Sequence, residues 1–405
     1  FCFERFFMES NEKSTWVQGG LFIFIRIVLS TSLRMVYPFL AVFARGLGIS
    51  VAHLSYALTT RGLVGFVSPF LAPISDKYGR KAGMLTGLGV FILGNAIVVI
   101  KPSYLSFILA VCLVMLGIDI YLPAIYSYIS DKVNYEKRGR VLALIEIGWA
   151  LSFVVGMPLT GLLIDRYGWL APFPALAVMG ALMFVVTLWL VPDHEKPQIA
   201  GQGNLWAGIV RVLRHPTALA MLGSGFFLSF ANEVVSLYFG VWLEDSFRLQ
   251  VTALGVASAV IGFAELGGET LTAGLVDKIG KKTATVIGLI LNGVFALLLP
   301  WFGQTLPGAY IGLFLFFLTF EFTIVCSLPL ATEIMPEARA ALLGLDVMVF
   351  SFGRMLGAAI APSLFNWGFM ANCVAAFVLN VFALILLARV KLTQKPVQAV
   401  YVEVS

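Results

Sequence analysis

Apolar residues run along this chain in long blocks, separated by short stretches rich in Pro, Gly and charge. A helix that crosses a bilayer needs roughly 20 apolar residues, each rising 1.5 Å. The blocks predict twelve such helices. Six lie at 17–44, 51–74, 82–100, 104–130, 139–164 and 171–192. Six more lie at 217–243, 251–275, 283–303, 307–334, 340–366 and 369–390. Numbered in order, these are spans 1 to 12. An even number returns both termini to one side.

One polar stretch between spans occurs twice. Ser75-Asp76-Lys77-Tyr78-Gly79-Arg80-Lys81 follows span 2, and Val276-Asp277-Lys278-Ile279-Gly280-Lys281-Lys282 follows span 8. Asp277 stands 201 positions after Asp76, about half of 405 residues. Other residues echo at the same offset: Tyr37-Pro38 and Tyr238-Phe239, Glu136 and Glu337, Arg138 and Arg339, Ala72 and Ala273. The repeat implies two copies of one six-helix unit. The expected division is a tail over 1–16, a first bundle over 17–192, a linker over 193–216, a second bundle over 217–390 and a tail over 391–405. Within the linker, Leu205 to Arg214 reads either as a short amphipathic surface helix or as a plain tether.

Composition agrees with lipid as the main solvent. Hydrophobic residues are 60% of the chain, charged residues 12%, and mean hydropathy is +0.94. Soluble domains carry roughly 25% charge. The net charge of +5 fits basic loops on one face of a membrane better than a nucleic-acid surface. Nineteen Lys and Arg lie on the side of Asp76 and four on the other. That bias predicts a multi-pass protein of the cell (plasma) membrane with both termini cytoplasmic. Trp169, Trp242, Trp301 and Trp367 would then fall near the outer interface, and Trp16 and Trp189 near the inner one.

Cys2, Cys112, Cys326 and Cys373 are scattered, and His53, His194 and His215 form no cluster, so no metal site is expected. No cofactor, nucleophile motif or phosphate-binding loop is read, which argues against an enzyme or an ATP-driven pump. The chain begins at Phe1, and Met8 is a candidate natural start.

The repeated stretch resembles the signature loop of the major facilitator superfamily, G-x-x-x-D-[RK]-x-G-[RK]-[RK]. Both copies fit, with Ala72 and Ala273 in place of the first Gly. Pro336-Glu337-x-Arg339 resembles a second recurring loop of the superfamily. The resemblance spans the whole chain. It implies an all-α membrane protein of twelve transmembrane helices in two pseudo-symmetric six-helix bundles. It also implies a cytoplasmic gate. Gly79 and Gly280 would allow a tight turn, and Asp76 and Asp277 would cap the starts of spans 11 (Ala340 to Leu343) and 5 (Gly139 to Leu142) in the other half. Arg80 would pair with Asp131 and Lys281 with Glu333. Of the antiporter stretch G-P-x-x-G-G in span 5, only Pro158 and Gly161 are present.

Charges inside spans are costly and normally face a cavity or a partner. Near mid-membrane stand Arg61, Asp119, Glu233, Glu265, Glu321 and Arg354, with Arg34 in the outer part of span 1. Arg26, Glu146, Glu269 and Asp346 lie nearer the Asp76 side. In the family's fold, spans 1, 4, 7 and 10 line the cavity and spans 3, 6, 9 and 12 face outward. The latter hold no Asp, Glu, Lys or Arg in their cores. Glu233, Glu265, Asp119 and Glu321 are candidate proton carriers, and Glu265 and Glu269 share a helix face. Phe226, Phe227, Phe230, Phe316, Phe317 and Phe320 would supply apolar contact, or pack between helices. The expected activity is secondary transport of a small amphiphilic organic solute by alternating access, driven outward by a proton gradient. The expected partners are that solute, protons and lipid, with no nucleic acid, and the chain acts as a monomer. The alternatives are uptake of an organic acid held by Arg34, Arg61 or Arg354, and a non-transporting sensor or complex subunit.

Overall fold

The computed structural model describes residues 12–67, 79–192, 205–335 and 338–390. All regular structure among them is helical. Among the described residues, ten helices are long and apolar enough to cross a membrane. Span 1 is split in the structure, and span 2 is described only in part. Span 1 is Glu12–Arg34, five turn residues, then Leu40–Leu47, and span 2 is described over Val51–Val67, the rest of its expected range lying outside the described residues. Leu40–Leu47 and Val51–Val67 meet at 109° across a corner at Gly48, whose φ is +67°. That corner separates two spans.

Span 7 repeats the split of span 1. Pro216–Ser236 breaks at Leu237 and Tyr238 and resumes as Phe239–Phe247. In span 1 the break contains Pro38, which has no N–H to donate to the helix. Span 5 holds another irregularity, a π-turn over Ser152–Gly156 between Tyr135–Leu151 and Met157–Tyr167. Pro158 cannot donate to Val154, and a wider turn there absorbs the missing bond. Caps fix other ends. Ser103 and Ser106 form a reciprocal capping box at the start of span 4, and the Thr305 hydroxyl accepts from the Gly308 N–H before span 10.

The second charged stretch is shorter as a turn than its sequence implies. Span 8 is one helix over Val251–Ile279, and span 9 starts at Lys281. Gly280 alone makes the turn, at φ +84°, and Gly79 stands before span 3 at φ +98°. Asp277 therefore sits on the last turn of a helix and not in a loop.

Spans 3, 4 and 6 pack together in the first bundle, as do spans 9, 10 and 12 in the second. Between bundles, span 5 lies on span 8 and span 2 on span 11. Small residues permit this approach. A Cβ on Gly255 would stand 2.7 Å from the Met157 carbonyl oxygen, and one on Gly262 would stand 2.6 Å from that of Ala150. Gly62 and Gly65 likewise lie against Met355 and Ser351. Helices in lipid associate through such close contacts. The outward faces carry Leu93, Val178, Leu182, Ile290 and Ile385, all exposed to the hydrocarbon. Trp189, Trp301 and Trp367 are exposed near helix ends, as an aromatic belt requires. Trp242 is not part of that belt: it is buried and stacked on Phe369 at 4.4 Å between centroids.

Leu205–Leu213 is a helix. Its Val212 is buried with Ala338, Ala341 and Leu342 at the start of span 11, while Val210 and Leu213 remain exposed.

Candidate functional site

Between the bundles lies a cavity of about 820 Å3, walled by spans 1, 4, 5, 7, 8, 10 and 11. It runs from Glu233 and Arg354 to Val276 and Asp277 at the end of span 8. Ala143, Ala273, Asp277 and Leu328 on its rim are exposed, so the cavity opens on the Asp277 side.

The opposite end is sealed by the broken tips of spans 1 and 7. A Cβ on Gly240 would stand 2.5 Å from the Pro38 carbonyl oxygen and 2.7 Å from that of Tyr37. Arg45 pairs with Glu244 at 2.7 Å just beyond. The Tyr238 ring packs on Phe365 at 4.5 Å, and its hydroxyl lies 3.4 Å from that of Ser55.

The buried charges form three assemblies. In the first, Arg34 on span 1 meets Glu265 on span 8 through both guanidinium nitrogens, Nη1 donating at 3.0 Å. The same Nη1 donates to the Trp149 carbonyl oxygen at 2.9 Å, and the guanidinium lies 4.0 Å from the Trp149 ring and 3.7 Å from that of Phe153. A bidentate pair of this kind is directional and strong, and here it ties the two bundles together. In the second assembly, Arg61 donates to the Leu33 carbonyl oxygen at 3.1 Å and to the Tyr37 hydroxyl at 2.7 Å. That hydroxyl lies 3.1 Å from each carboxylate oxygen of Glu233. With one proton to give, Tyr37 accepts from Arg61 and donates to Glu233, again joining the halves. In the third, Arg26 pairs with Glu146 at 2.8 Å, and the Tyr126 hydroxyl donates to the same carboxylate.

Three lining carboxylates remain outside these assemblies: Asp277 at the rim, and Glu269 and Glu321 deeper in. Glu269 and Glu321 have no hydrogen-bond partner among the described residues, and Glu321 is only 8% exposed. Its charged neighbours are Glu265, Glu269, Arg34 and Glu146. A Cβ on Gly268, next to Glu269 in the chain, would lie 2.8 Å from the Glu321 Cβ, so spans 8 and 10 pack tightly at the level of the two glutamates. Arg354 also lines the cavity, and its buried Nε has no hydrogen-bond partner among the described residues. It borders a side chamber of about 230 Å3, which Arg61 and Asp346 line as well.

Some sequence candidates lie elsewhere. Asp119 is half-buried on span 4 and is not among the residues lining the cavity. A helix shows only one face to the cavity, and depth along the span does not reveal which. Phe317 and Phe320 line it, whereas Phe226, Phe227, Phe230 and Phe316 do not. Phe316 is fully buried in the core, and Phe227 stacks on Phe382 at 5.4 Å. Tyr37, Tyr126, Trp149 and Phe153 join the site without standing out in the sequence as candidates. Only Tyr37 carries a signal there, its place in the Tyr37-Pro38 repeat.

Around the mouth, Arg80 meets Asp131 at 3.1 Å and Lys281 meets Glu333, each within one bundle. Asp277 stands exposed on the rim. Asp76 lies outside the described residues.

A profile described as the Major Facilitator Superfamily matches residues 22–358 and again 222–400. The chain is similar to an uncharacterized MFS-type transporter, YwfA, of Bacillus subtilis (strain 168), 26% identical over 368 residues that cover 86% of this chain and 87% of the relative. It is also similar to a multi-drug resistance efflux pump PmrA homolog of Lactococcus lactis subsp. lactis (strain IL1403), 23% identical over 303 residues and 72% of each chain. In fold it resembles a bacterial homolog to the human lysosomal transporter Spinster, solved in an inward-facing and unoccupied conformation. The TM-score is 0.71 at 12% identity, covering 94% of this chain and 96% of that one.

Proposed function

This chain belongs to the major facilitator superfamily and is one of its secondary transporters, not an enzyme, and from that premise we propose that it exports a small amphiphilic organic solute in exchange for protons. The observation that carries the reading is Glu321: a buried carboxylate with no hydrogen-bond partner among the described residues, on the wall of a cavity open at one end. Such a group can take up and give back a proton as the cavity turns from one side to the other. Glu265 is a poorer carrier, because Arg34 holds it through two nitrogens. Phe317, Phe320, Phe239 and Trp149 offer apolar walls for the body of the solute. The Lactococcus lactis relative named as an efflux pump supports outward transport.

The bias of Lys and Arg toward the Asp277 side makes that side cytoplasmic, with both termini, in the cell membrane. The described conformation is then open inward. In the alternate form the bundles 17–192 and 217–390 tilt so that Asp277 caps the start of span 5 near Gly139 to Leu142, and Asp76 that of span 11. Each cap contributes about 1 kcal/mol, small enough to reverse in every cycle.

The test is flux in proteoliposomes under an imposed pH gradient, with solute and protons read together over a panel of amphiphilic compounds. Coupled, opposite fluxes are expected, and Glu321→Gln should uncouple them. Solute flux indifferent to the gradient removes the proton from the mechanism, and an absence of flux for every solute removes transport of this class. The Nε of Arg354, unpartnered among the described residues, favours a second reading, uptake of an organic acid. It requires flux of anions that Arg354→Gln abolishes.

A further inference from the structure

The charges around the cavity do not balance, and the imbalance bears on the solute. Five glutamates line it: Glu146, Glu233, Glu265, Glu269 and Glu321. Arg26 compensates Glu146, and Arg34 compensates Glu265. Glu233 accepts from Tyr37, which Arg61 backs, and Arg354 is its other cationic neighbour. Glu269 and Glu321 are left over, on packed spans 8 and 10, both lining the cavity, with Glu269 among the charged neighbours of Glu321. Asp277 adds a further carboxylate at the mouth. Charge left uncompensated in a low-dielectric cleft raises the local concentration of the opposite charge. The cleft also carries aromatic walls at Phe317 and Phe320.

We propose that the solute is a lipophilic organic cation, an amine or onium group seated between Glu321 and Glu269 with its apolar body against Phe317 and Phe320. This rests on the transport reading above and names its substrate class. The amine stands where a proton would stand on Glu321, so cation and proton exclude one another at that carboxylate. The other charges facing this spot are Glu265 on span 8, Arg26 and Arg34 on span 1 and Glu146 on span 5. Both arginine neighbourhoods are already committed to carboxylates, which leaves Glu321 and Glu269 to receive the cation. An anion of the same shape would meet two carboxylates here and be repelled.

The test is binding to the purified full chain in detergent, read by tryptophan fluorescence because Trp149 lines the cavity. The probes are tetraphenylphosphonium, its anionic counterpart of matched shape tetraphenylborate, and the smaller cation benzyltrimethylammonium. The cations should bind with saturation and the anion should not. Glu321→Gln should weaken cation binding roughly tenfold or more, as the loss of one charge-assisted contact implies. Glu269→Gln should weaken it less, and Glu244→Gln, at the sealed end, not at all. Tetraphenylborate binding as tightly as tetraphenylphosphonium would overturn the proposal. So would cation affinity unchanged in Glu321→Gln or, if that variant does not fold, in Glu269→Gln. These results are separable from transport: a protein that moves neutral or anionic solutes yet ignores both cations remains a transporter with another substrate class.

Discussion

Near Arg45 the two bundles meet backbone to backbone, with Gly240 against Pro38 and Gly255 against Met157. Near Asp277 they stand apart across a mouth rimmed by Asp277, Ala273, Ala143 and Leu328. The first end closes through shape, and what holds it is the absence of side chains. The second end carries charge, but its ion pairs Arg80–Asp131 and Lys281–Glu333 stay within their own bundles. Neither pair spans the opening. The lesson is that closure by small residues and closure by charge make different demands. A glycine contact forms or fails with sub-ångström fit, whereas long ionic side chains can change partners as the bundles move.

The level at which the seam changes from shut to open is marked by Arg34 and Glu265, both buried and joined across the halves. Removing one partner of a buried pair leaves a charge without compensation, which costs about 3–5 kcal/mol. Glu265→Gln and Arg34→Gln should each lower the thermal unfolding midpoint more than Gly240→Leu, Tyr37→Phe or Arg45→Ala. The double variant should regain part of the loss. A double variant as unstable as the sum of the singles would show that the two groups do not act as a pair.

At the sealed end, Gly240→Leu should be the most damaging single change. The obstacle it meets is the Pro38 backbone, which cannot rotate away. Overpacking a tight site costs about 1–3 kcal/mol, and the upper end is expected. The sealed form should lose its dominance. A cysteine placed at the fully buried Ser55 should then react faster with a membrane-impermeant thiol reagent added from that side. Unchanged labelling would mean that fit at Gly240 does not keep this end shut.

Tyr37→Phe tests the point where shape and charge meet, because Tyr37 lies in the span 1 break and its hydroxyl links Arg61 to Glu233. Losing that hydroxyl leaves a buried polar group unsatisfied, at about 1–2 kcal/mol. The expected readout is a modest fall in stability with transport slowed but present. Full activity and stability would mean that Arg354 alone suffices for Glu233.

The sequence disclosed these regions unequally, for a physical reason. A charge inside an apolar block is conspicuous because lipid penalises it, so Arg34, Arg61, Glu233, Glu265, Glu321 and Arg354 could be picked out without coordinates. The repeat at Asp76 and Asp277 was legible in the same way, as were the spans themselves. Direction around a helix was not. Asp119 has a suitable depth but does not line the cavity, and of the six phenylalanines only Phe317 and Phe320 do. The sealed end was the hardest to read. Gly240, Gly255 and Gly262 act by what they lack, and a glycine within an apolar run looks the same whether it touches a neighbour or faces lipid. The π-turn in span 5 left only Pro158 as its trace.

The smallest effect is expected for an ion pair that does cross the halves at the sealed end. Arg45 and Glu244 lie 2.7 Å apart, with side chains 58% and 22% exposed. Exposed pairs contribute about 0–1 kcal/mol, because water and salt screen them and ordering two long side chains opposes the gain. Arg45→Ala should therefore shift the unfolding midpoint little, and added salt should erase the difference from the parent chain. If closure at this end rests on glycine fit, labelling at position 55 will stay slow in Arg45→Ala and become fast in Gly240→Leu. Fast labelling in Arg45→Ala would reverse the ranking, making charge the latch at both ends and the backbone contact a consequence of it.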